Sequence, residues 1–240
     1  RIRVKGGEIR GKIDVGGAFE SESDLMFDLI IVGGTVRLRG TCEGGKIDVG
    51  GSLKVDGDLK FTEIDVGGTV NITGNAEGEE IDVGGKVNVG GSLVLTGKLG
   101  VGGGVEVGEN LKAGSIEVGG YLEASLVEAE RTVRVGGRIE TVKGVKATRV
   151  EIGRNGRVRG LIVAREVLVR EKAEVRDVFA DSLTMEERAR ANNIYAKEIY
   201  LERKCRITGE VYYVENLTKE DGVKFAKEPV KTDRLPVPPI

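Results

Sequence analysis

Apolar residues recur along this 240-residue chain at a fixed interval. An I-x-V tripeptide begins at Ile13, Ile30, Ile47, Ile64 and Ile81, each 17 residues after the last. Equivalents follow at Leu99 after a step of 18, at Ile116, Val133, Val150 and Val167 after steps of 17, and at Leu183 and Ile199 after steps of 16. Inside a repeat the apolar positions form three pairs, as in Ile47/Val49, Leu53/Val55 and Leu59/Phe61. Alternation at period two puts each pair on the inner side of a short strand, and the gap between pairs leaves room for a bend. The pattern predicts an all-β fold: a single-stranded parallel β-helix, or solenoid, of triangular cross-section with about 12 coils of 16–18 residues. Stacked at about 4.8 Å, such coils would extend roughly 55–60 Å and share their stability among neighbours.

The register persists while the composition shifts. Residues 1–12 read as a truncated N-terminal coil, 13–145 as a Gly-Gly-rich half, and 146–216 as a half of the same β-helix whose corners carry Arg, Glu, Lys and Asn. Residues 217–240 read as a partial last coil and an extended tail that holds all four prolines. Of the 38 glycines, 33 precede residue 145, and Gly-Gly pairs follow the first strand of coil after coil, where bends favour residues without a Cβ. The stretch KLGVGGGVEVG at 98–108 resembles a phosphate loop in composition alone. Val105 stands where a dinucleotide fingerprint needs its third glycine, no Gly-Lys-Ser/Thr follows, and the stretch reads as the corner of a coil. Glu128 and Glu130 at inward positions of one coil, and Gly156 in another, predict a bulge or one-residue slip in each.

Composition narrows function by exclusion. Without histidine, the Ser-His-Asp and Cys-His triads and nearly all catalytic zinc sites are ruled out. A net charge of −2 provides no basic stripe for nucleic acid. The longest apolar runs, such as Leu29–Val32, are far shorter than the roughly 20 residues that span a bilayer. Uniform repeats leave no insertion in which to build an active site. The expectation is a non-enzymatic chain with no cofactor, metal centre or nucleotide.

Some outward and terminal residues remain candidates. Asp14, Asp48, Asp65 and Asp82 point outward, and the last three stack on consecutive coils as a candidate cation-binding row, with a solvated acidic face as the simpler reading. Cys42 and Cys205 point inward ten coils apart, too far for a disulfide, and two unpaired thiols fit a reducing compartment. Tyr195, Tyr200, Tyr212 and Tyr213 gather with Phe225 towards the C-terminal end, as a cap or a docking surface. The end coils of a β-helix expose unpaired backbone groups that template further strands. Candidate self-assembly residues are Phe19, Leu25 and Phe27 at one end and Val211, Tyr213 and Phe225 at the other.

Residues 158–213, VRGLIVAREVLVREKAEVRDVFADSLTMEERARANNIYAKEIYLERKCRITGEVYY, repeat a rhythm of an apolar residue and an Ala before the next strand: Ile162/Ala164, Val178/Ala180 and Ile194/Ala196. In this they resemble bactofilins, the polymer-forming cytoskeletal proteins. The resemblance implies a right-handed β-helix, consistent with the general crossover preference. It also implies end-to-end filaments of identical copies formed without nucleotide, in the cytoplasm, with membrane-associated or scaffolded proteins as partners at the inner face of the cell membrane. Two other readings stay open: a glycan- or cation-binding β-helix that uses the acidic row, and a β-helical spacer in a larger enzyme complex. The glycine-rich half is similar to the β-helical domain of glutamate synthase, which motivates the last.

Overall fold

In the computed structural model, which describes residues 1–240, all the regular elements are β-strands. The strands are parallel and stack as a β-solenoid of about 14 turns. The excess over twelve comes from residues 2–9 and 217–231, which pair as further coils. The chain divides into two compact units, Arg1–Gly119 and Gly120–Ile240. The change in composition near residue 145 falls inside the second.

In the first unit each apolar pair becomes one rung of an inner column. Ile13, Ile30, Ile47, Ile64, Ile81, Leu99 and Ile116 stand in register on successive strands, and all are buried. A second column runs through Ile2, Phe19, Val36, Leu53, Val70, Val87 and Val105. The third runs through Leu25, Cys42, Leu59, Ala76, Leu93 and Leu111. Beside that third column large and small residues alternate. A Cβ on Gly44 would come within 2.5 Å of the Phe27 ring, and one on Gly78 within 2.4 Å of the Phe61 ring.

The Gly-Gly corners have a steric cause. Gly34, Gly51, Gly68 and Gly85 keep ordinary backbone angles, but a Cβ on any of them would lie 2.3 Å from the carbonyl oxygen of the glycine one coil earlier. Close approach between coils, rather than a left-handed conformation, demands glycine there. At another corner polar side chains close the gap: Asp24 accepts the Thr41 N–H at 2.8 Å, Asp58 the Asn75 N–H at 2.7 Å, and Asn75 the Ser92 N–H at 2.9 Å.

The second unit keeps the three columns and changes the corner. Val133, Val150, Val167, Leu183 and Ile199 form one column, and Val127, Val145, Ile162, Val178, Ile194 and Val211 another. Here the first corner is a four-residue turn. The N–H groups of Gly156, Ala173 and Ala189 donate to the carbonyls of Gly153, Arg170 and Glu186 at 2.9–3.1 Å. The preceding residues Asn155, Lys172 and Arg188 are left-handed, with φ of 56–62°. Gly156 thus occupies a turn two residues longer than the Gly-Gly corner before it, and the register slips there as expected, by two residues: Val135 faces Ile152, but Arg138 faces Arg157, and the usual step returns where Val145 faces Ile162. The slip around Glu128 and Glu130 is real: the register shifts between Ala124 and Leu126 and again between Glu128 and Thr132, which turns Val127 and Ala129 inward instead.

The proline-rich segment leaves the sheet, as expected, after one last two-residue strand. Val230–Lys231 pairs with Tyr212 and Tyr213, and the Thr232 N–H donates to the Tyr213 carbonyl at 2.8 Å. The segment then doubles back along the second unit, so that a Cβ on Gly144 would stand 2.8 Å from Cδ1 of Ile240. Pro236, Pro238 and Pro239 hold it extended.

The corner geometry makes a paired prediction. Gly68→Ala should destabilise the protein by about 1–3 kcal/mol, the usual cost of overpacking. At Gly16, where an added Cβ meets nothing within 4 Å, Ala should shift stability by less than about 0.5 kcal/mol. Urea denaturation followed by far-UV circular dichroism measures both.

Candidate functional site

The end coils come first, because their outer edges have no intramolecular strand partner. Phe19, Leu25 and Phe27 are not at the edge. They pair with Ile2, Gly7 and Ile9 of an earlier coil and are buried beneath it. The outermost apolar side chains are Ile2, 47% exposed, and the half-buried Val4 and Ile9. At the other end Val211 is buried, and Tyr213 is half-buried between its strand partners Ala196 and Lys231. The last coil presents Leu217, Val223 and Phe225, each half-buried, with the Lys219 ammonium 5.3 Å above the Phe225 ring. The tail passes to the side and seats Ile240 beside Gly144.

The outer faces are mostly lined by charges paired across neighbouring coils. Lys46 reaches Glu63 at 2.6 Å, Arg149 reaches Glu166 at 3.0 Å and Arg157 reaches Glu174 at 3.6 Å. Two carboxylates are buried. Glu20 pairs with Arg1, with Arg3 at 3.1 Å and with Arg39 at 2.8 Å, and the Arg1 hydrogen bond is the main cause that holds its carboxyl below the usual range. Glu151 lies between Arg134 at 3.2 Å and Arg170 at 2.8 Å, and Arg170 also pairs with Glu186 at 2.9 Å. Burial alone pushes the Glu151 carboxyl up, but the Arg170 hydrogen bond and the two guanidinium charges outweigh it and the net shift is downward.

Asp48, Asp65 and Asp82 stand opposite one another on consecutive strands, as expected. Ile31 separates them from Asp14, and Gly100 follows Asp82. They project side by side, and the chain's acidic and thiol groups form no cluster of three or more suited to a metal ion. Hydrogen bonding to Glu63, reinforced by the charges of Asp48 and Asp65, raises the pKa of the neighbouring Lys46. In KLGVGGGVEVG the strands Lys98–Val101 and Gly104–Val107 flank the corner. The Gly102 and Gly103 N–H groups donate to Val83 and Gly85 at 2.9 Å, so they are spent on the adjacent coil.

On the second unit one outward column is apolar. Phe179 and Tyr195 stack with ring centroids 4.5 Å apart, and Tyr195 and Tyr212 follow at 5.8 Å. Val163 extends the column on one side and Val230 on the other. Burial, with the charges of Glu210 and Asp177, raises the Tyr195 pKa. The aromatic cluster read from sequence thus splits. Tyr195 and Tyr212 belong to this ladder, Tyr200 donates its hydroxyl to Glu220 at 2.6 Å, and Tyr213 and Phe225 belong to the end. Phe179 was missed, although its 16-residue step to Tyr195 was the signal. Both thiols are buried, and burial pushes Cys42 up and Cys205 up to about 11.

No family model matches the chain, nor does any curated protein or solved structure.

The depressed Glu151 carboxyl contributes stability that is complete above its ordinary value of 4.5 and is lost as pH falls through its lower native value. Urea midpoints should therefore drop from pH 6 to pH 3, and Glu151→Gln should remove part of that drop. Cys42 and Cys205 should stay unreactive to a chromogenic disulfide reagent at pH 8 until the chain is unfolded.

Proposed function

We propose that this chain is a non-enzymatic structural element that assembles end to end with further copies of itself without nucleotide, as the resemblance to bactofilins implies. The observation that carries this reading is the path of the tail. Residues 232–240 could have covered the last coil, yet Ile240 sits beside Gly144, and Leu217, Val223 and Phe225 stay half-exposed at the end. Apolar residues on a coil whose backbone edge is unpaired form a surface that a further coil satisfies twice, by strand pairing and by burial. Ile2, Val4 and Ile9 present the matching chemistry on the first coil of the first unit. The outer faces agree with a scaffold role, since their charges pair among themselves and the groove lined by Arg149, Glu166, Leu168, Ser182 and Thr184 is shallow. In this reading the polymer is cytoplasmic and serves as a support for membrane-associated or scaffolded proteins.

Negative-stain electron microscopy and analytical sedimentation of the purified chain test it. Filaments or concentration-dependent oligomers are expected, and Phe225→Glu or Ile2→Glu should abolish them while the β-type circular dichroism persists. A chain that stays monomeric at high concentration across a range of salt, or assembly indifferent to both substitutions, overturns the reading.

A further inference from the structure

The second unit carries one sheet face whose outward residues form two columns. One is Gly144, Leu161, Asp177 and Asn193, and the other is Lys146, Val163, Phe179, Tyr195, Tyr212 and Val230. The polar part of the first column is self-satisfied. Asn193 donates to Asp177 at 2.7 Å, the Glu210 N–H donates to Asn193 at 2.8 Å, and Lys227 pairs with Glu210 at 2.9 Å. The second column is apolar over five consecutive strands from Val163 to Val230, with the three rings stacked at its centre. A row of aromatic and aliphatic side chains is the surface that extended proline-rich segments recognise, since such segments are already ordered in the conformation they bind in.

The chain supplies such a segment. Thr232 is tied to Tyr213 at one end of this face, and Ile240 sits against Gly144 and Leu161 near the other. Five strand steps separate these points, about 24 Å, and the nine residues 232–240 reach about 28 Å when extended. Thr232, Leu235, Pro238 and Ile240 are half-buried, whereas Pro236, Val237 and Pro239 are exposed, so one side of the segment faces the protein. Gly144, at a φ of 137°, makes the notch that any Cβ would fill.

We propose that the Val163–Phe179–Tyr195–Tyr212 column is a seat for residues 232–240 and that the same segment of a second copy takes it in exchange. The segment is held in its own chain by the two-residue strand Val230–Lys231 and by its apolar side alone, so it detaches at the low end of the free energies of local opening. Exchange of identical segments recreates every contact in the partner and costs little. It joins copies side by side, through contacts separate from the end coils.

Variants of the full chain with added surface cysteines test this, because the native Cys42 and Cys205 are buried. Leu161→Cys chains are mixed with Ile240→Cys chains, oxidised with copper phenanthroline, and read on a non-reducing gel. A disulfide-linked dimer that contains one copy of each variant is expected. Adding Tyr195→Ser to the Leu161→Cys chain should cut its yield at least fivefold without altering far-UV circular dichroism. The double variant Leu161→Cys/Ile240→Cys should close an internal link at high dilution. An internal link with no mixed dimer overturns the exchange, and a mixed dimer indifferent to Tyr195→Ser overturns the seat. Absence of both links overturns the proposal as a whole. Repeating the mixture with Phe225→Glu in both chains separates it from end-to-end assembly, since the mixed dimer should survive when filaments do not.

Discussion

The parallel backbone pairing between one coil and the next fixes their separation at about 4.8 Å, and the other features follow from that distance. Side chains on the inner columns must fill the space between rungs, hence Ile over Ile over Ile at 30, 47, 64 and 81. Corners must bring one chain past another at the same spacing. In the first unit they do so by omitting the Cβ that would otherwise meet the carbonyl 2.3 Å away. In the second unit a left-handed residue does the same work. The N–H of Lys172 donates to the Glu187 carbonyl, and that of Arg188 to the Arg203 carbonyl, both at 3.0 Å, on the next coil. A left-handed conformation costs about 1–2 kcal/mol in a residue with a Cβ. Here it is offset by the turn and inter-coil hydrogen bonds it permits, and the corner positions are freed for charged side chains.

The same spacing governs the outside. Residues one coil apart are cross-strand neighbours, so opposite charges placed 17 residues apart meet as Lys46 meets Glu63 and Arg149 meets Glu166. Each exposed pair is worth about 1 kcal/mol or less, but together they leave these faces electrostatically self-sufficient. Asp48, Asp65 and Asp82 run against this rule. Lys46 lies beside the row, and its pKa is raised chiefly by its hydrogen bond to Glu63, with a smaller contribution from the charges of Asp48 and Asp65. The stacked rings of Phe179, Tyr195 and Tyr212 break the rule in another way, by placing apolar surface where charges would otherwise pair.

Strands, columns and the inward thiols were legible in the sequence because period-two alternation and a 17-residue step each have a single geometric meaning. The slip around Glu128 was legible for the same reason, as two acids at inward positions could not remain there. Gly156 marked a slip as well, but its size was not legible, since one small residue at an inward position does not say that the turn around it is two residues longer. The ends were displaced by one coil because Ile2, Val4 and Ile9 repeat too weakly to announce a coil, although Ile2 pairs with Phe19. The return of the tail had no periodic signal. Its anchor is a notch at Gly144, which only the three-dimensional neighbourhood of Ile240 defines.

A chain built of nearly identical coils faces a problem of counting. If a coil of the first unit docked one step too far along, Ile would still meet Ile and glycine would still meet glycine. The alternation of Phe27 and Phe61 with Gly44 and Gly78 doubles the effective period from 17 residues to 34 along that column. A one-coil offset would set ring against ring and leave a void where glycine met glycine, costs that a packed interior penalises in both directions. The two phenylalanines thus act as a vernier against the finer scale of the repeat, so that a nearly uniform sequence can still tell one coil from the next.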